Sequence, residues 1–156
     1  MISGQQKYDN YREQFKRLNK ALAAGFNLEA VFIEYAIMED RTESILVHAD
    51  KWDAYIKSRK GREPNISTKT KYIQKLAENE KDLLHRYFSD DLLDKLLTWK
   101  DQRNRIIHAL LKQQLEHNEV GNLANEGNEI VKMLRNRSGS YNRAIDKKRK
   151  EAEKQP

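Results

Sequence analysis

Apolar residues return every three or four positions along almost the whole chain, and with only two prolines and six glycines there is little to interrupt that period. Such spacing puts side chains on one face of an α-helix, so the pattern predicts an all-α, up-down bundle of four to five helices. Tyr8, Tyr11, Phe15, Leu18 and Leu22 define a first helix, ended near Gly25. Asn27 then caps a long second helix reaching about Lys57, with Ala30, Ile37, Met38, Ile45, Trp52 and Ile56 on its inward stripe. A third starts at Ser67 or Thr68 and runs through Ile73, Leu76, Leu83, Leu84 and Tyr87. Ser89, followed by Asp90 and Asp91, opens a fourth that continues to about Glu116. The Asn- and Gly-rich stretch 118–128 reads as a turn or frayed start before a fifth helix through Ile130, Met133, Leu134 and Ile145. Length favours a single domain, residues 1–150, with a frayed tail at 151–156.

The inward stripes are not wholly apolar. Glu34, Arg41 and His48, seven residues apart, share the core-facing line of the second helix. Taking Arg103 as zero on the fourth, Leu92, Leu96, Trp99, Ile106, Ile107 and Leu110 all lie within about 60° of it. Arg103 is therefore placed in the middle of a greasy face. Asn104 and His108 are neighbours at the stripe's edge, roughly 100° and 140° round. An unpaired buried charge costs several kcal/mol, so either Arg103 has a carboxylate partner, with Glu34 the candidate, or that face meets an anion. Glu34 could instead neutralise Arg41, with His48 a satisfied interior histidine.

Composition narrows the field. There is no cysteine, which excludes disulfides and thiolate metal sites. The N-terminal residues lack the apolar core of a signal peptide, and the longest greasy run, Ala30 to Met38, falls far short of the roughly 20 residues that span a bilayer; a soluble, cytoplasmic protein with no membrane partner is expected. Asp82 and His85 could share a metal, but two ligands without a second pair are too few, and neither metal nor cofactor is expected. Thirty Lys plus Arg against 24 Asp plus Glu leave a charge of +6, concentrated in two places. Lys57, Arg59, Lys60 and Arg62 lie in a loop broken by Gly61 and Pro64; Arg135, Arg137, Arg143 and Lys147 to Lys150 crowd the last helix. Such clusters are either solvated helix surface or a footprint for a polyanion such as RNA, and the loop cluster is the candidate RNA-binding set.

Catalysis at phosphate needs a group that takes a proton from the attacking hydroxyl and fixed positive charge where negative charge gathers. Free imidazole titrates near about 6.5, which suits His108 to the first part; a guanidinium that forks onto two phosphate oxygens suits Arg103 to the second. Asn104 could hold the imidazole or bond the phosphate. Five residues of helix rise about 7.5 Å, so a two-fold pair of chains would bring the groups together more easily than one chain alone.

Arg103, Asn104, three residues and then His108, set late in a small helical domain, resembles the signature of the HEPN superfamily: Arg, four to six residues, His, with Asn, Asp or His often next to the Arg. Arg41 to His48 has the same bare spacing, but Thr42 follows that Arg and its helix comes early. The resemblance implies a metal-independent endoribonuclease of the kind found in toxin, phage-defence and RNA-processing systems. Such proteins work as homodimers with the two motifs facing across a cleft. It further implies Arg103 and His108 as the catalytic pair, Asn104 as the assisting polar residue, RNA as substrate and an antitoxin protein as a possible partner. Some HEPN-like domains instead bind nucleotides or protein partners without catalysis, which is the alternative expectation; a basic coat for nucleic acid is a third.

Overall fold

The computed structural model describes residues 3–112, 114–116 and 118–155, and among these the regular structure is all helical, with no strand. Seven helices occur there: α1 (Gly4–Ala24), α2 (Asn27–His48), α3 (Trp52–Ser58), α4 (Ile66–Ala77), α5 (Leu83–Phe88), α6 (Leu92–Ala109) and α7 (Glu119–Glu153). The four long ones, α1, α2, α6 and α7, form the up-down bundle. Lys7 and Tyr11 of α1 meet Asp40 and Arg41 of α2, and Arg103 of α6 meets Phe32 and Tyr35. Along α7, Asn27, Glu34 and His48 of α2 meet Gly121, Gly127 and Arg149 in turn, so α2 and α7 run parallel. Trp99 and Arg105 meet Leu123 and Glu119, which makes α6 antiparallel to α7. The three short helices are an excursion between the second and third long ones.

Local chemistry sets the ends. Ser3 and Gln6 form a reciprocal capping box on α1, and Gly25, at φ 74°, closes it in the left-handed conformation that glycine adopts without strain. Asn27 is not a cap but the first residue of α2, preceded by Phe26 with no side-chain bond. The expected run to Lys57 breaks at Asp50, whose φ of 58° ends α2 and turns the chain into α3. Asn65 and Thr68, rather than Ser67 or Thr68 alone, cap α4. The single third helix expected there is two, because Asp82 accepts the Leu84 N–H and restarts the chain as α5. At the start of α6 the Leu92 N–H is taken by Asp90, not by the Ser89 hydroxyl. That helix stops at Ala109, short of Glu116, and α7 begins at Glu119, taking in the stretch read as a turn. Residues 151–153, expected to fray, are its last turn; Pro156 lies outside the described residues.

The core fills the space between these helices, with Leu18, Met38, Ile45, Ile73, Leu96, Trp99, Leu134 and Tyr141 sealed from solvent. Trp99 Nε1 donates to the Leu123 carbonyl at 2.8 Å, satisfying the indole and pinning α6 to α7. Lys69 is buried as well, its ammonium held by Glu39 through both carboxylate and backbone carbonyl. Among the described residues no helix is long and apolar enough to cross a membrane.

Candidate active site

With α6 pinned at Trp99, the next turn presents Arg103 to α2. Its guanidinium lies over the Tyr35 ring, 4.3 Å from the centroid, and 5.6 Å from that of Phe32. Cation–π contact of this kind contributes about 0.5–2 kcal/mol without neutralising the charge. Nη1 donates to the Asn104 carboxamide oxygen at 3.1 Å, while Nε is buried with no hydrogen-bond partner. Arg103 is half-buried, at the edge of the greasy face rather than inside it. Among the described residues no carboxylate lies within ion-pair distance of it.

Glu34, the expected partner, is one residue from Tyr35 but points elsewhere. Successive helical positions turn about 100°, so the aromatic seat and the carboxyl are on different faces of α2. Glu34 is 0% exposed, and neither carboxylate oxygen has a hydrogen-bond partner. Burial pushes its pKa up to about 9, so the group is neutral at pH 7. Room for it exists only because residue 127 is glycine: a Cβ there would overlap the Glu34 carboxyl and approach Trp99 Cζ2 to 2.8 Å. Arg41 is not its partner either. That guanidinium is bonded to Asp40 at 2.6 Å and stacked 4.4 Å from the Tyr11 ring. Burial raises the Asp40 carboxyl, but Arg41 and Lys7 beside it outweigh that and hold it below the usual carboxylate range. His48 is engaged through Nδ1 with the Ser44 carbonyl.

His108 stands in the last turn of α6, exposed and without a hydrogen bond among the described residues. Large apolar side chains share this end of the bundle: Phe32 is 55% exposed, Leu111 99%, and Phe26, Leu28 and Leu110 are also open. Asn104 orients the guanidinium instead of the imidazole, and Arg103 and His108 leave the helix in different directions.

The RNA-binding set Lys57, Arg59, Lys60 and Arg62 follows α3, and α3 follows the C-terminal end of α2. From Phe32 to His48, α2 alone rises about 24 Å, so these cations are not gathered round Arg103 in one chain. Asp82 caps α5 and His85 Nδ1 engages the Ala77 carbonyl, so both are committed to the fold. A cleft of about 560 Å³ is also elsewhere, between α6 and α7, floored by Trp99, Ile130 and Met133 and rimmed by Asp91, Asp94, Glu126 and Glu129 with Lys95 among them. Sequence reasoning missed Phe32 and Tyr35. The available signal was that both aromatics fall off the inward stripe of α2, where a packing role alone would not put them.

Comparison with protein-family models, with curated proteins and with solved structures finds no match for this chain.

Proposed function

We propose that the chain is a metal-independent endoribonuclease of HEPN type, working as a homodimer whose composite site draws on Arg103, Asn104 and His108. One observation carries the reading: a half-buried guanidinium seated on aromatic rings, with no carboxylate within ion-pair distance among the described residues. A phosphate is the natural complement, because two of its oxygens accept the forked N–H groups while its charge offsets the desolvation of the cation. The mechanism then follows from the side chains. His108 takes the proton of a ribose 2′-hydroxyl as that oxygen bonds to phosphorus. Arg103 stabilises the negative charge of the phosphorane. The bond to the 5′-oxygen breaks, and an imidazolium returns a proton to it, leaving a 2′,3′-cyclic phosphate and a 5′-hydroxyl. Since the two groups are some 7.5 Å apart in rise and roughly 140° apart in direction on one helix, a second copy supplies the missing half. Exposed Phe32 and Leu111 are the apolar surface that would meet it. Within the same reading an antitoxin protein is a possible further partner.

Incubating RNA in EDTA with the wild type and with His108→Ala tests this. Cleavage to cyclic-phosphate ends by the wild type alone is the expected result. Dependence on Mg²⁺, equal cutting of DNA, or cleavage by the variant overturns it. The acid-rimmed cleft over Trp99 favours a second reading, a non-catalytic module that docks a cationic partner protein. In that case RNA stays whole and substitutions at Glu126 and Glu129, not at His108, abolish function.

A further inference from the structure

The sequence places many cations on the last helix, and the structure sorts them. Arg135 covers the Phe15 ring, Arg137 is paired with Asp90, and Arg149 donates to the His48 carbonyl at 2.6 Å. These three hold α7 to its neighbours. Arg143, Lys147 and Lys150 do not, nor does Lys154 further on: all four are exposed, and among the described residues none forms an ion pair. At 100° per residue they fall within about 60° of one another, in a row that rises about 16 Å. The row lies opposite the face that buries Leu134 and Tyr141. One turn earlier the same face carries Asn136, Gly139 and Ser140, and Arg143 folds back over it, donating to the Ser140 hydroxyl at 3.2 Å. Tyr141 is the last buried side chain, yet α7 continues to Glu153, another 18 Å or so. Among the described residues the packing uses that extension on one side only, where Ile145 meets the core and Arg149 the end of α2. Asp146 and Glu151 flank the row, and the four cations outnumber them along it.

We propose that the outward row Arg143, Lys147, Lys150 and Lys154 is a binding track for the sugar-phosphate backbone of single-stranded RNA. It is separate from Arg103 and His108 and lies toward the opposite end of the bundle. The choice of RNA rests on the nuclease reading; the track itself rests on the row. An anionic membrane is the poorer fit, because the far side of the extension offers Ala144, Ile145, Lys148 and Arg149 rather than an apolar face to insert.

The probe is a fluorescent 2′-O-methyl RNA strand, which cannot be cut by 2′-hydroxyl attack, so binding is read whether or not the chain is a nuclease. Anisotropy titrations across salt compare the wild type with Lys147→Gln/Lys150→Gln/Lys154→Gln. Loss of three phosphate contacts lowers the salt slope by about two and weakens binding at 0.1 M salt on the order of 10²-fold. Lysine acetylation gives the second readout: the bound strand protects Lys147, Lys150 and Lys154 and leaves Lys148 open. An unchanged slope and affinity, or equal protection of Lys148, overturns the track. So does tighter binding of the wild type to vesicles containing one-third phosphatidylserine than to the strand. Loss of cleavage in His108→Ala with binding intact would leave the track standing, and binding without any cleavage would sink the nuclease reading alone.

Discussion

Replacing Glu34 by Gln isolates what the buried carboxyl does to stability. In the folded chain its pKa is pushed up to about 9 from an ordinary 4.5. Below about pH 4.5 both folded and unfolded chains hold the proton, and ionisation costs nothing. Between that point and about pH 9 the unfolded chain has released its proton while the folded one still binds it. Stability therefore falls as pH rises, by about 1.4 kcal/mol for each pH unit. The loss reaches roughly 3 kcal/mol by pH 7 and roughly 6 kcal/mol once the folded carboxyl also ionises. Against the 5–15 kcal/mol typical of a domain, that is a large share. Gln has nearly the shape of the protonated acid and does not titrate, so the two proteins should match within about 1 kcal/mol at pH 5. At pH 8.5 the variant should be more stable by about 5 kcal/mol. Urea unfolding at pH 5, 6, 7, 8 and 9, with ΔG extrapolated linearly, measures both curves. Parallel profiles would refute the reasoning, because they would mean that Glu34 is ionised and paired in the folded state. Asp40 and Asp90 do not blur the test. Arg41 and Lys7 hold the first low against its burial, and the bond from Arg137 lowers the second, so their stabilisation is lost only as pH falls through the acid range.

Gly127→Ala should cost about 1–3 kcal/mol by overpacking, and Glu34→Ala in the same chain should recover part of it; calorimetric melting of the single and double variants would show this. Arg103→Ala should abolish RNA cleavage while lowering stability by only about 1 kcal/mol, the scale of its contact with Tyr35. A loss of 3 kcal/mol or more in its urea curve would instead reveal a carboxylate left without its partner. His108→Ala, at an exposed position, should stay within about 0.5 kcal/mol of the wild type in the same measurement. Asp50→Gly should stabilise by about 0.5–1 kcal/mol, since glycine takes φ near 58° without the Cβ penalty; an unchanged melting temperature would deny that strain.

The inward stripes were legible because burial and period are properties of the chain itself: Ala30, Ile37, Met38 and Ile45 fall at helical spacing and are all sealed. Helix breaks were less so. Asp50 carries no mark like that of glycine, yet it takes the left-handed turn that ends α2. Stretch 118–128 shows the opposite error. Its Asn and Gly content argues for a turn, but Gly127 is there to admit Glu34, so packing overrides propensity. At the candidate site, Arg103, Asn104 and His108 were visible because they share one helix. The aromatic seat was not, since which face of α2 meets Arg103 depends on the register between two helices far apart in sequence. The same gap explains why Glu34 and Arg103, plausible partners by helical phase, lie on different faces and never pair.

The notch at Gly127 has a mechanical consequence. A side chain lodged in a gap one residue wide acts as a detent between two parallel rods: α2 cannot slide along α7 without driving Glu34 into a neighbouring Cβ. Because Trp99 ties α6 to α7, the detent also fixes how far along α2 the ring of Tyr35 comes to rest. The position of the guanidinium is thus gauged from the far side of the bundle, by the only residue type that leaves the slot open.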